Sequence, residues 1–207
     1  MRAHVGEGDG APRLWNHNLH YHRIILEAVP SQATMALDIG CGEGLLAHDL
    51  RSRVAHVIAI DRDGPSIERA RQRIRESGIE FITGDVFDHA LPAGSFDLIA
   101  CVAAIHHMEM ERALRRMRDL LRPGGTLAIV GLARSRRFSD YLIDAAGAVV
   151  HRLHRLTKPY TEPTSPVVWP PPLTYGEVRR VAERVLPGVR YRRHALWRYS
   201  LVWKGPL

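Results

Sequence analysis

The chain is poor in cysteine and in long apolar runs, and each shortage excludes a class of protein. Its 207 residues contain two cysteines, Cys41 and Cys101, whose spacing provides no disulfide framework, so reduced thiols and a cytoplasmic location are expected. No apolar stretch approaches the roughly 20 residues that a membrane-spanning helix needs. Residues 1–13 lack the apolar core of a secretory signal and alternate glycine with acidic residues, so they are predicted to form a flexible leader.

Lysine is also scarce, although the chain is basic. The net charge is +7, yet only Lys158 and Lys204 among the 29 basic residues are lysine. The arginines within 69–75 and 112–118 fall on predicted helices, and acidic residues (Glu68, Glu76, Glu111 and Asp119) flank both runs, a pattern typical of a solvated helix face. Nucleic acid is therefore not expected as a partner, although a basic surface can attract an anionic substrate or partner.

The most informative segment is residues 36–44, Ala-Leu-Asp-Ile-Gly-Cys-Gly-Glu-Gly. An apolar strand leads into an acidic residue and three alternating glycines, which allow a tight strand-to-helix turn and a close approach of a ligand to the backbone. Position 45 is leucine, so the third glycine of the dinucleotide-binding pattern is absent. The loop favours a nucleoside ligand other than NAD.

Acidic residues end the next two predicted strands. Residues 56–60 are apolar and end at Asp61, placed where a carboxylate accepts bonds from ribose hydroxyls. Gly84-Asp85-Val86 follows the third strand. The alternatives are that Asp61 is a helix N-cap and that Asp85 only stabilises a turn. Because the carboxyl ends of parallel strands meet at one edge of a sheet, Asp38, Asp61 and Asp85 are expected to converge.

Three further segments complete the pattern: 96–99, His106-His107-Met108 and 121–125. Together with the segments above, they resemble the class I methyltransferases that depend on S-adenosylmethionine, over roughly residues 14–132. The resemblance implies an α/β fold, a Rossmann-like doubly wound seven-stranded sheet with an antiparallel C-terminal hairpin. It implies S-adenosyl-L-methionine as cofactor, with Asp61 on the ribose and Asp85 on the adenine. The full set of expected cofactor contacts is Asp38, Gly40, Cys41, Gly42, Asp61, Arg62, Asp85, Val86, Val102 and Tyr21.

The alternation of elements predicts one domain over 14–207. Predicted strands cover 34–39, 56–61, 79–83, 96–102 and 125–131, and predicted helices cover 14–29, 44–53, 65–77 and 109–121. After residue 132 the alternation breaks: a helix over 140–156 and a segment with six prolines form a lid-like insertion, 134–172, before a helix from Thr174 to Leu186 and strands over 190–195 and 198–203. Aromatic residues available to line an acceptor pocket are Phe138, Tyr141, Tyr160 and Trp169.

Histidines supply the candidates for acid–base chemistry. His107 is the first candidate for a general base, because relatives of this type carry a histidine at the matching place; His106 and His22 are the next. The alternative is that the His106-His107 pair only caps and packs the following helix. His17 and His20 share a helical spacing that could suit a metal, but no carboxylate or cysteine set accompanies them, and no metal is expected.

The predicted function is transfer of a methyl group to an O or N of a small-molecule acceptor, in specialised metabolism. The sequence leaves the oligomeric state open. One alternative is a methyltransferase acting on RNA or protein; residues 101–104 read Cys-Val-Ala-Ala, which lacks the Asn/Asp-Pro-Pro-aromatic motif of base N-methylation. The other alternative is a non-catalytic cofactor-binding partner subunit, which turnover of the cofactor would distinguish from an enzyme.

Overall fold

The computed structural model describes residues 16–157 and 169–207. Within them the seven strands are β1 (Met35–Ile39), β2 (His56–Asp61), β3 (Ile79–Thr83), β4 (Phe96–Val102), β5 (Leu121–Gly131), β6 (Arg190–His194) and β7 (Arg198–Lys204). The helices are α1 (His17–Ala28), α2 (Leu45–Arg51), α3 (Gly64–Arg73), α4 (Met110–Leu120), α5 (Phe138–Thr157) and α6 (Tyr175–Val185), with a short 3-10 helix at Ile105–His107. The expected leader 1–13 and Tyr160 lie outside the described residues.

All seven strands form one sheet in the order β3-β2-β1-β4-β5-β7-β6. Strands β1 to β5 pair in parallel, whereas β7 is antiparallel to both β5 and β6. The order reverses between β1 and β4, and open α/β sheets bind ligands at such a switch point. The predicted doubly wound sheet with its antiparallel C-terminal hairpin is confirmed.

Successive side chains of β4 point to opposite faces of the sheet, and each face is covered by its own apolar layer. Ile99 and Cys101 belong to the layer packed with α4 and α6, while Leu98 and Ala100 belong to the layer packed with α1, α2 and α3. A strand that is buried on both faces in this way lies in the middle of a sheet covered by helices. The core therefore fixes the carboxyl ends of β1 and β4 rigidly.

Several element ends differ from the sequence prediction. Helix α1 begins at His17, because the Asn16 side chain caps it by accepting from the amides of Asn18 and Leu19 at 2.9 Å. Helix α3 ends at Arg73, not at 77, and α5 begins two residues earlier than predicted, at Phe138. Strand β5 is four residues longer at its start, where its pairing with β4 contains an irregularity. In the part of the chain that the structure describes, no helix has the length and apolarity to cross a membrane.

Candidate functional site

A cavity of about 590 Å³ opens at the carboxyl ends of β1, β2 and β4. Its walls come from the glycine loop, the ends of the parallel strands, the segment after β4, and the first turns of α1. Predicted site residues among those that line it are Asp38, Gly40, Cys41, Gly42, Asp61, Arg62, Asp85, Val86, Val102, His22 and His107. The structure thus brings together nine of the ten residues expected to contact the cofactor.

The glycine loop passes close to the segment after β4. Gly40 has φ +72°, and a Cβ added to it would lie 2.2 Å from the Cβ of Ala104. No side chain fits at that separation, so the tight approach of the two cavity walls requires glycine at position 40. Asp61 fixes the loop from the other side: its Oδ2 accepts from the Gly42 amide at 2.7 Å, and its Oδ1 accepts from the Asp63 amide at 2.9 Å.

Asp61 and Asp85 present carboxylates to the same cavity. Each Asp61 oxygen accepts one backbone bond and retains capacity for a second, which is what two ribose hydroxyls require. Asp85 accepts from the Phe87 amide at 2.9 Å, and its other oxygen lies 3.5 Å from the Arg62 Nε. The alternative that Asp61 is the N-cap of α3 is wrong, because that cap is Asp63, whose side chain accepts from the Ser66 amide at 3.1 Å. Asp85 stabilises its own turn and still presents a carboxylate to the cavity.

Asp38 is the most unusual titratable group of the cavity. It is buried, and its Oδ2 has no hydrogen-bond partner among residues 16–157 and 169–207. Burial, with a further contribution from the negative charge of Asp61, raises the pKa of Asp38 to about 8. An orphaned buried carboxylate oxygen beside a close-packed glycine loop fits a ligand that brings an ammonium group and a positive sulfonium, so the residues present suit S-adenosylmethionine.

Helix α1 closes the cavity on one side and was only partly predicted. Asn16, Asn18 and Leu19 line the cavity beside His22, although none of the three was predicted as a site residue. The sequence predicts a helix start at 14, and with that start Asn16 is not expected to cap the helix or to face the cavity. The His22 Nδ1 lies 2.8 Å from the Asp49 Oδ2 on α2, and Asp49 is not among the residues that line the cavity.

The two adjacent histidines after β4 lie in different surroundings. His107 is exposed, lines the cavity and lies near Asp61 and Arg62; burial of its ring and the Arg62 charge outweigh the Asp61 charge and lower its pKa. His106 does not line the cavity and contacts instead a small space beside Tyr199. Burial, His107 and Arg198 lower the pKa of His106 to about 4, so it is neutral at physiological pH.

Tyr21 and the three described lid aromatics do not line the cavity. Tyr21 is buried and donates its hydroxyl to the Ala195 carbonyl at 2.5 Å, which ties α1 to the β6–β7 turn. Phe138, Tyr141 and Trp169 are exposed and do not line the cavity.

Other lining residues carried no signal in the sequence. The Arg112 guanidinium lies 4.2 Å from the centre of the Phe87 ring at the rim beside Asp85, and Met108 and Glu109 adjoin it. Ala103 also lines the cavity and has φ +54°, a left-handed conformation that alanine rarely adopts. Among residues 16–157 and 169–207, no three histidine, cysteine or acidic side chains are grouped to hold a metal ion.

Comparisons with known proteins agree with this geometry. The family described as "Methyltransferase domain" matches residues 37–129. The chain is 36% identical over 194 residues to an uncharacterized methyltransferase of Mycobacterium tuberculosis, covering 93% of this chain and 98% of that one. It is 28% identical over 146 residues to a ubiquinone biosynthesis O-methyltransferase of Vibrio parahaemolyticus, covering 69% of this chain and 61% of the relative.

Solved structures share the fold. One is the N-methyltransferase NodS of Bradyrhizobium japonicum in complex with S-adenosyl-L-homocysteine. It superposes with a TM-score of 0.61 at 20% identity, covering 91% of this chain and 87% of that one.

Proposed function

From the premise that the chain belongs to the class I S-adenosylmethionine-dependent methyltransferase family, we propose that it methylates an oxygen or a nitrogen of a small-molecule acceptor. The observation that carries the proposal is the shape of the cavity. The same cavity of about 590 Å³ has to hold both the cofactor and the acceptor, and α1 closes one side with Asn16, Asn18 and His22. A closed, polar end of this kind suits a small acceptor better than a macromolecule.

The chain's own residues supply binding, orientation and a proton acceptor. When bound, S-adenosylmethionine supplies an electrophilic methyl group. Asp38 would face the ammonium side of that molecule, Asp61 its ribose, and Asp85 with Val86 its adenine. The protein then has to hold the acceptor in line and exclude water, and α1 provides the wall that does so.

We assign the proton-accepting role to His22 ahead of His107 and His106. His22 is buried in the wall formed by α1, and Asp49 engages its Nδ1, so its Nε2 is the nitrogen left for an acceptor hydroxyl or amine. His107 adjoins Asp61 and Arg62, on the ribose side of the cavity, and His106 faces a different space. General-base help of this kind typically contributes about 10²–10⁴-fold to the rate.

The relatives support the choice of oxygen or nitrogen as the methylated atom. Two of the proteins that the chain resembles are an O-methyltransferase and an N-methyltransferase. We further propose that the insertion 134–172 affects acceptor specificity through α1, which α5 contacts at His17 and His151. We also propose that the enzyme works in the cytoplasm, where Cys41 and Cys101 stay reduced as free thiols.

The test is a screen of acceptors with S-adenosylmethionine labelled in its methyl group. The protein is incubated with fractionated small molecules, with bulk RNA and with protein extract, and products are resolved by mass. We expect label in one small-molecule fraction, and less label with Asp61→Ala at a limiting concentration of S-adenosylmethionine. Label that enters only RNA or protein, or cofactor binding without any labelled product, would contradict the proposal.

A further inference from the structure

Within the described part of the chain, one face of helix α5 carries its contacts with the body of the protein. Asp144 accepts from the Ser135 hydroxyl and from the Arg193 guanidinium at 2.5 Å each. The His151 Nδ1 lies 2.9 Å from the His17 Nε2 on α1. Gly147 packs so closely that a Cβ on it would lie 2.9 Å from the Leu196 amide nitrogen. These contacts fix which side of α5 points outward.

The outward side is apolar along the length of the helix. Phe138, Leu142 and Val149 are 79%, 58% and 61% exposed, and Ala145 and Leu153 lie on the same side at helical spacing. We call these five residues the α5 apolar face. From Phe138 to Leu153 it extends for about 22 Å at the rise of an α-helix. Monomeric soluble proteins rarely expose a continuous apolar surface of this kind, so the face indicates an interaction site.

Among the described residues of α5 and the turn before it, the charges that border the α5 apolar face have one sign. Both acidic residues of α5 are turned away from it: Asp140 accepts from the amides of Arg136 and Arg137, and Asp144 faces the body. Arg136 and Arg137 are exposed at the start of the helix, and Arg152 is exposed beside Val149 and Leu153. The Tyr141 ring, 57% exposed, adjoins the apolar residues. Apolar and aromatic side chains with flanking arginine are the composition of helices that lie in a bilayer interface.

We propose that the α5 apolar face docks on the surface of an anionic lipid bilayer. A second copy of the chain is the less favourable occupant, because pairing two such faces would bring the arginines at their borders together without a described acidic residue to offset them. A fluid lipid surface accepts the convex side of a single helix, and its anionic headgroups complement the arginines.

Docking in this way would set the position of the cavity. Helix α5 joins α1 through the His17–His151 bond, and α1 closes the cavity. The α1 side of the cavity would therefore lie next to the bilayer. The proposal does not depend on the methyl acceptor, since binding to lipid is measured without turnover.

Cosedimentation of the full chain with vesicles tests the proposal. Vesicles of phosphatidylcholine alone are compared with vesicles that also contain phosphatidylglycerol, at low and high salt. We expect binding to the anionic vesicles that weakens at high salt, because salt screens the arginines. Leu142→Glu and Val149→Glu should each lower the partition coefficient at least about tenfold, since each removes a bulky apolar side chain from the contact.

Matched variants separate the face from general effects of charge. Leu207→Glu changes another exposed apolar residue and is the control for Leu142→Glu and Val149→Glu. The double variant Arg53→Glu/Arg190→Glu changes two exposed arginines elsewhere and is the control for the double variant Arg136→Glu/Arg137→Glu. The controls should bind like the parent protein, and all variants should unfold at the parent's temperature. Absence of vesicle binding would overturn the proposal, as would binding that the α5 variants leave unchanged. A dimer in light scattering that Leu142→Glu dissociates, without vesicle binding, would assign the face to a second copy instead.

Discussion

The His22 Nδ1 lies 2.8 Å from the Asp49 Oδ2, and this bond joins the wall of the cavity to a carboxylate outside it. The Asp49 side chain is 41% exposed, so water supports its charge, whereas the His22 side chain is 9% exposed. A carboxylate on one ring nitrogen fixes the tautomer and the orientation of the imidazole. Asp49 is thus a positioning residue that would act only through His22.

The first prediction follows from this pair. His22→Gln should lower kcat about 10²–10⁴-fold for a hydroxyl acceptor, because the proton acceptor is lost. Asp49→Asn should lower kcat less and leave the KM for S-adenosylmethionine nearly unchanged. Steady-state kinetics with the acceptor found by the screen provides the measurement.

His48→Gln is the control for this pair, because its Nδ1 lies 3.9 Å from Asp49 but its side chain is 57% exposed and does not line the cavity. It should behave like the parent. If Asp49→Asn weakens cofactor binding and spares kcat, the pair holds the cofactor and His22 is not the base.

The second prediction concerns Asp38 and pH. With a pKa of about 8 in the free protein, this carboxyl is mostly protonated at pH 7. A positively charged ligand favours the carboxylate, so binding should release close to one proton, and affinity should increase as the pH rises to about 8. Calorimetry in buffers of different ionisation enthalpy measures the released proton.

Two controls isolate Asp38 in that experiment. Asp38→Asn should bind S-adenosylmethionine more weakly and release no proton. 5′-Methylthioadenosine, which lacks the ammonium and the sulfonium charge, should bind the parent without proton release. An equal proton release by parent and Asp38→Asn would show that another group titrates.

A higher pH should strengthen cofactor binding through Asp38, but the same carboxyl should make the free folded protein less stable as the pH rises. Its folded-state pKa is raised from 3.8 to about 8, so its contribution to stability is fully present below pH 3.8 and is lost as the pH rises through about 8. We therefore expect Asp38→Asn to raise the Tm of the free protein at pH 8 relative to the parent, with little difference at pH 4. A Tm that falls at both pH values would indicate that the charged form is stabilised by the fold.

The elements that carry the site were predictable from sequence because local signals determine them. The apolar run before Asp38 and the glycines after it mark the end of β1, and the apolar run before Asp61 marks the end of β2. Parallel pairing of the two strands then brings these ends together. The antiparallel hairpin was predictable because residues 195–197 are too few for a crossover connection.

Side-chain directions at α1 and after β4 were not predictable. His106 and His107 are neighbours on one short helix, yet only His107 lines the cavity. The bond between His22 and Asp49 joins positions 27 apart, and no local pattern encodes it. Phe138 and Tyr141 were expected in the acceptor pocket, but the outward side of α5 depends on tertiary contacts at Asp144 and Gly147.

The third prediction concerns the ribose contact. Asp61→Asn keeps the shape of the side chain but places an amide group near the donating amides of Gly42 and Asp63. We expect a loss of about 1–3 kcal/mol in the binding free energy of S-adenosyl-L-homocysteine, measured by calorimetry. Asp88→Asn, an exposed aspartate outside the cavity, should bind like the parent. Parent-like affinity in the Asp61 variant would exclude Asp61 as a ligand contact.

The last prediction tests the close approach of Gly40 and Ala104. Gly188 has a similar backbone angle, φ +81°, but a Cβ added there would meet nothing within 4 Å. Gly188→Ala should therefore cost only the left-handed conformation, about 1–2 kcal/mol of unfolding free energy. Gly40→Ala should cost about 1–3 kcal/mol more because of overpacking, and it should also weaken cofactor binding, since the displaced loop lines the cavity.

A double substitution separates the contact from the backbone angle. Gly40→Ala with Ala104→Gly removes the Cβ that the new methyl group would meet at 2.2 Å, so it should recover most of the cofactor affinity while keeping the cost of the left-handed alanine. Urea unfolding gives the stabilities, and calorimetry gives the affinities. If Gly40→Ala and Gly188→Ala lose equal stability and both keep the parent's affinity, the two walls of the cavity are farther apart than the structure has them, and position 40 needs glycine only for its turn.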